Sequence, residues 1–281
     1  MHMHAGLYAE TLILKKIIMK KINVLVLLIV SLFIVSGISY AQPKITLNAY
    51  GGYGVPLGDF ATEVPTNTRA DADYFPYYTK QLLTFGADGK LAFGKTGNGR
   101  VVFGIGYNMF SNNTDAIFKA DSNGTLVTTN FKPQVNILSI SLGGEWAFQP
   151  NQQLNPYVGA GLAANFFSGT FTFGQSVFVK GEQRNGPMDM KAETRIGFYL
   201  DAGLDYRLSP QFGINGGIKY SLINPIGKGA DDEEEIGENE IDLGDQEHTE
   251  DGIDFPARTI SSFNGYLGVS FYFGAPKTKK K

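Results

Sequence analysis

The 281 residues contain no cysteine, one tryptophan and three histidines. Without cysteine there is no disulfide framework, no thiolate-bound zinc or iron–sulfur cluster and no thiol nucleophile. Surplus positive charge is lacking as well. The formal net charge is -3 and the pI about 5.7, which excludes a general nucleic-acid binder. After residue 35 no segment reaches the roughly 20 apolar residues that a membrane-spanning helix needs. What is abundant is glycine and aromatics: 35 Gly, 21 Phe and 14 Tyr. An average usage of about 7% would give roughly 20 glycines, so the fold must use both small and aromatic side chains heavily.

The one long apolar run lies near the start. Met19, Lys20 and Lys21 precede Val24 to Val35, interrupted only by Ser31, and Ser39-Tyr40-Ala41 follows. A basic segment, an apolar segment and a small-x-small site make a secretory signal. Residues 1–41 are read as an N-terminal extension and cleaved signal peptide, with Met19 as an alternative start to Met1. Cleavage after Ala41 leaves 240 residues.

An exported chain without spanning helices is either soluble or a membrane β-barrel, and period-two patterning decides between them, because a barrel wall turns apolar residues to lipid and small or polar ones to the lumen. In 138–148, Leu138, Ile140, Leu142, Gly144, Trp146 and Phe148 alternate with Ser139, Ser141, Gly143, Glu145 and Ala147. In 195–207, Ile196, Phe198, Leu200, Ala202, Leu204 and Tyr206 alternate with Arg195, Gly197, Tyr199, Asp201, Gly203, Asp205 and Arg207. The same parity recurs around Leu83 to Phe93, Val101 to Met109, Val158 to Phe166, Phe212 to Leu222, 44–54 and 258–273, giving eight strands.

The connections alternate in length. Segments 96–99, 149–155 and 208–211 are short and rich in turn residues, whereas 55–79, 111–133, 168–192 and 223–257 are long. Short periplasmic turns and four long extracellular loops are what an eight-stranded antiparallel transmembrane barrel predicts. Phe93, Phe103, Trp146, Phe148, Tyr206, Phe212, Phe271 and Phe273 share outward parity near the short turns and are read as an interfacial aromatic girdle. Thr170-Phe171-Thr172-Phe173 and Val177-Phe178-Val179 leave a ten-stranded alternative open. The barrel is assigned to 42–274 and a Lys-rich periplasmic tail to 275–281.

Two segments carry a family resemblance. The last strand, with Leu267, Val269, Phe271 and Phe273 at alternate positions, resembles the assembly signal of bacterial outer-membrane barrels. Asn155-Pro156-Tyr157-Val158-Gly159-Ala160-Gly161-Leu162 is similar to a strand of small barrels of the OmpA/OmpX/OmpW-like group and the Bacteroidetes-type outer membrane protein β-barrel domain. The resemblance implies an outer-membrane location, a surrounding shell of outer-membrane lipid, recognition of the C-terminal strand by the barrel assembly machinery, and a monomer.

An eight-stranded barrel is wide enough only for side chains or one small ligand. Its inward charges are predicted to be Asp88, Lys90, Glu145, Arg195, Asp201, Asp205, Arg207 and Lys219, four of each sign. Unpaired buried charges are costly, so mutual ion pairing that plugs the lumen is expected. A narrow water path along the same residues is the alternative. In the fourth long loop, residues 231–254 hold 13 acids and no Lys or Arg. That loop is read as solvated, with divalent cations or a basic partner as possible company.

Catalytic signals are weak. Gly89 to Thr96 satisfies a G-x-x-x-x-G-K-[ST] pattern, but Leu91 and Phe93 continue a strand and no helix follows to hold a phosphate. After residue 41 the single histidine is His248, inside the acidic loop. The expectation is a non-enzymatic outer-membrane protein acting in surface interaction or membrane integrity, with no cofactor, no metal site and no nucleic-acid partner. The resemblance supplies the alternatives of a narrow porin or solute conduit and, behind it, a lipid-modifying enzyme.

Overall fold

A computed structural model describes residues 45–61, 77–94, 96–120, 123–179, 182–184, 186–228, 239–250 and 253–274. The expected signal peptide, the Lys-rich tail and Asp231 to Glu238 of the acidic loop lie outside them. The described elements are β1 (Ile45–Gly58), a short 3-10 turn (Asp59–Ala61), β2 (Gln81–Phe93), β3 (Gly99–Ser111), β4 (Thr114–Lys119), β5 (Leu126–Ala147), β6 (Leu154–Phe173), β7 (Val177–Val179), β8 (Glu182–Arg184), β9 (Met188–Arg207), β10 (Phe212–Ile226), β11 (Glu240–Ile241), β12 (His248–Glu250), β13 (Ile253–Phe255) and β14 (Ile260–Phe273).

Eight of these close a ring. Antiparallel pairing runs β1-β2-β3-β5-β6-β9-β10-β14 and returns from β14 to β1, with Ile45 opposite Phe273. Closure leaves the ring without a free edge in the lipid, where an unpaired backbone group is prohibitively expensive. The ten-stranded alternative resolves into eight. Thr170 to Phe173 prolong β6, and Val177 to Val179 begin the small β7-β8 hairpin, which touches the rest of the sheet through β4.

The strands are longer than their alternation suggested. β5 runs 22 residues and β6 and β9 run 20 each, although a tilted membrane strand needs only about 9–11. Much of the expected second and third long loops is therefore strand. Along β5 and the residue that follows it, the outward apolar residues extend from Phe148 up to Leu138, a stretch that at ~3.3 Å per residue and ~40° tilt spans roughly 25 Å.

Above that belt the side-chain rule reverses. Lys132 and Gln134 point outward into water, and Phe131, Val135 and Ile137 point inward at 0% exposure. β6 changes at the same height, from outward Leu162 and Phe166 to inward Phe167, Phe171 and Phe173. The backbone parity runs through without a break on β5. Only the chemistry changes sides.

Candidate functional site

The interior is stacked in three layers. At the periplasmic end Lys90 on β2, Arg100 on β3, Glu145 on β5 and Asp205 on β9 meet across the lumen. Lys90 Nζ donates to Glu145 at 2.6 Å, and Arg100 reaches Glu145 at 2.7 Å and Asp205 at 2.8 Å. The Asn155 amide adds a 3.0 Å hydrogen bond to Asp205, and Lys90 stands 3.9 Å above the Tyr157 ring. All four charged side chains are nearly inaccessible to solvent. Two cations facing two carboxylates, each hydrogen-bonded, offset the desolvation that either sign alone would suffer.

The middle layer explains the excess of glycine beside tyrosine. Tyr50 lies opposite Gly86, Tyr157 opposite Gly203, Tyr199 opposite Gly161 and Tyr266 opposite Gly217 on neighbouring strands. Each ring leans into the notch its glycine leaves. A methyl group at Gly161 would lie 2.7 Å from the Tyr199 ring and 2.5 Å from the Leu142 carbonyl oxygen, and one at Gly203 would lie 2.5 Å from the Tyr157 hydroxyl. The rings thereby cover backbone that glycine would leave bare in a curved sheet. Tyr157 and Tyr266 join hydroxyl to hydroxyl at 2.7 Å.

Lys219 sits among the rings of Tyr199, Tyr50 and Tyr266, at 4.9, 5.5 and 5.8 Å from their centres, and faces Asp201 across the strand register. Such aromatic faces attract an ammonium group. Asp88 accepts the Asn48 amide at 2.7 Å. Above Lys219 opens a polar chamber of about 50 Å³ lined by hydroxyls and amides that include Ser141, Ser221, Asn108 and Asn264. At ~10–15 Å³ of such volume per molecule it has room for a few waters and little more.

The outer layer is apolar. Phe60, Tyr77, Leu82, Phe110, Phe131, Phe167, Phe171, Met188, Ile223 and Ile260 belong to one buried cluster inside the mouth. Part of the fourth loop completes it. Ile241, Leu243 and Asp245 alternate inward and are each 1% exposed. The solvated-loop expectation is thus corrected for 241–245, because two apolar residues at period two give the segment a face that the cluster buries. Asp245 receives Arg195 Nη2 at 2.9 Å and the Asn224 amide at 2.6 Å, and Glu193 pairs with the same Arg195. The Tyr77 hydroxyl donates to the Leu243 carbonyl, and Arg258 N donates to the Asp245 carbonyl at 3.0 Å. Burial pushes the Tyr77 hydroxyl well above its ordinary pKa, with the nearby Arg258 opposing the rise.

Residues 29–244 match the family described as outer membrane protein beta-barrel domain. The chain belongs to this family. Similar solved structures include Neisserial surface protein A, at 15% identity over 82% of this chain and 97% of that one with a TM-score of 0.40. Ail, the attachment invasion locus protein of Yersinia pestis, is 11% identical over 82% and 99% of the two chains with a TM-score of 0.39 in its complex with a heparin analogue. OprG of Pseudomonas aeruginosa is 12% identical over 82% and 95% with a TM-score of 0.38. No curated protein matches the chain. The protein is an outer-membrane β-barrel, and its ring sits in that membrane.

Phe93, Trp146, Phe148, Phe271 and Phe273 are at least 48% exposed at the turn end, and Tyr206 is 38% exposed beside them. Phe212 meets Phe271 edge to face. Phe103 lies higher, opposite Leu142, within the belt.

The inward charges divide by layer. Lys90, Glu145 and Asp205 join the inner cluster, Asp88, Asp201 and Lys219 the middle, and Arg195 the mouth. Arg207 stands over the Tyr272 ring at 5.0 Å and donates to the Pro150 carbonyl. The arginine bound to Asp205 is Arg100, which the sequence reading missed. Extending the parity of Gly104 and Gly106 two residues past Val102 would have found it. Asn224 and Asp245 were missed because they lie in a segment read as loop, and Glu193 because it falls between the third loop and the strand assigned from residue 195.

His248 lies on β12, which pairs with β13 apart from the ring. The phosphate-loop pattern falls on β2 and its turn, with Gly94 and Gly97 at positive φ. Among the described residues no cluster of three or more metal-ligating side chains occurs.

Proposed function

We propose that the protein works without enzymatic chemistry, as a barrel whose lumen is sealed and whose projecting half provides a rigid surface for interaction or membrane integrity. One observation carries the reading: the inner ion cluster, a chamber of about 50 Å³ and the outer aromatic core stand in series along the lumen. A hydrated ion has to part both the ion cluster and the aromatic core to pass. The inner groups are anchored on four different ring strands, so the whole cluster cannot leave the lumen as a unit, and parting it costs buried ion pairs.

The non-enzymatic part is supported by the way the carboxylates are used. Glu145 and Asp205 are engaged by Lys90 and Arg100, and the one histidine after residue 41 stands outside the ring. The surface role is supported by the upper strands, whose polar outside and dry inside are those of a water-soluble domain. Single-channel recording of the refolded protein in planar bilayers tests the seal. No conductance steps are expected. Steady ion-conducting steps from the unaltered protein would contradict the seal and favour a narrow conduit.

A further inference from the structure

We infer that residues 241–245 form a removable stopper that completes the outer closure over the ring-borne aromatic cluster, so that part of the outer closure is carried by a loop while the inner closure belongs wholly to the wall. The inference rests on the sealed-lumen reading and adds which of the two seals can open.

The two closures are attached differently. Lys90, Arg100, Glu145 and Asp205 sit on β2, β3, β5 and β9, each paired on both sides around the ring. Among the described residues the stopper joins the sheet through the two-residue parallel pairing of Glu240 and Ile241 with Asp189 and Met190, and one further backbone bond ties it, from Arg258 N to the Asp245 carbonyl at 3.0 Å. It is held chiefly by side chains: Arg195 and Asn224 on Asp245, Glu193 on the Leu243 amide at 2.8 Å, and Tyr77 on the Leu243 carbonyl. Segments with few backbone hydrogen bonds are the ones that open locally before a domain unfolds.

Departure is also electrostatically tolerable. Glu193 remains paired with Arg195 when Asp245 leaves, so that guanidinium is not left bare. Asn224 keeps its bonds to the Arg258 carbonyl at 3.1 Å and the Ile260 amide at 2.7 Å. Departure strips Ile241 and Leu243 from the apolar cluster and opens a gap among its ring-borne members, with the polar chamber beneath.

The lack of native cysteine makes a direct test possible. Ser221 lines the chamber, and Ser221→Cys is probed with a membrane-impermeant maleimide added outside intact cells, beside an exposed Glu247→Cys control. In the otherwise unaltered protein the chamber thiol is expected to label slowly. With Asp245→Ala, or with 241–245 replaced by five Gly and Ser residues, it is expected to label at least about tenfold faster, while the folded form persists as a heat-modifiable gel band.

Labelling of Ser221→Cys as fast as the control overturns the stopper and leaves the inner seal standing. Folded stopper variants that stay unlabelled overturn it too, as does failure of both variants to fold, because a removable element cannot be required by the ring. Conductance by the unaltered protein strikes the sealed-lumen reading instead, and conductance is recorded on the same preparations.

Discussion

The lower and upper halves of this barrel are one continuous sheet built under opposite solvent rules. On β5, Leu142 and Trp146 turn outward to lipid while Glu145 turns inward to a polar lumen. Twelve residues or so up the same strand, Lys132 turns outward to water and Phe131 inward to a dry core. The hydrophobic effect acts on both, since apolar surface leaves water in each case. What differs is where water is. The backbone is indifferent to the choice because its hydrogen bonds are satisfied around the ring at every height.

The comparison can be broken most severely at the glycine notches. Gly161→Leu places side-chain atoms against the Leu142 carbonyl and the Tyr199 ring, and it is expected to abolish the heat-modifiable folded band altogether. The two cores should then prove comparably costly to damage by different means. Glu145→Ala leaves Lys90 and Arg100 facing Asp205 alone and is expected to destabilise by about 3–5 kcal/mol. Phe131→Ala opens a cavity in the apolar layer and should cost about 3–5 kcal/mol. Both are read from urea unfolding midpoints in lipid vesicles, and a negligible loss at Phe131 would mean that the upper half has no packed core.

A finer cut compares outward lysines on one strand. Leu142→Lys lies in the belt and should cost about 2–4 kcal/mol. Gln134→Lys, exposed above it, should stay within about 0.5 kcal/mol of the unaltered protein. The last effect, at Tyr77, shows only at alkaline pH. An unfolded chain ionises this phenol near pH 10, whereas burial holds the folded phenol neutral to higher pH. Its contribution is therefore complete below about pH 10 and is lost as pH rises through the raised value. Tyr77→Phe should lose less stability than the unaltered protein between about pH 10 and 12, as read by alkaline unfolding.

The membrane half was legible in the sequence because its rule is local. Side chains two apart share a face, so Leu138 to Phe148 and Ile196 to Tyr206 could be oriented without knowing their neighbours. The upper half follows the same arithmetic in Phe131, Val135 and Ile137, yet Phe131 falls in the segment read as loop, and Val135 and Ile137 fall short of the strand begun at Leu138, when apolar residues are assumed to face lipid. Partner identity was not legible. Which arginine meets Asp205 depends on the stagger of β3 against β9 around the ring, and no local pattern encodes that shear. Asp245 was hidden for another reason. A run of acids suggests solvation, and the alternation of Ile241 and Leu243 within it was the opposing signal.

The most direct test of the two-rule account is a spin-label accessibility scan along β5 from residue 126 to residue 147, one cysteine at a time in a background that has none. The account predicts period two throughout, with oxygen accessibility peaking at even positions from 138 to 146 and a water-soluble nickel reagent peaking at even positions from 128 to 136. Oxygen maxima continuing at even positions down to 128, or loss of the two-residue period there, would contradict it.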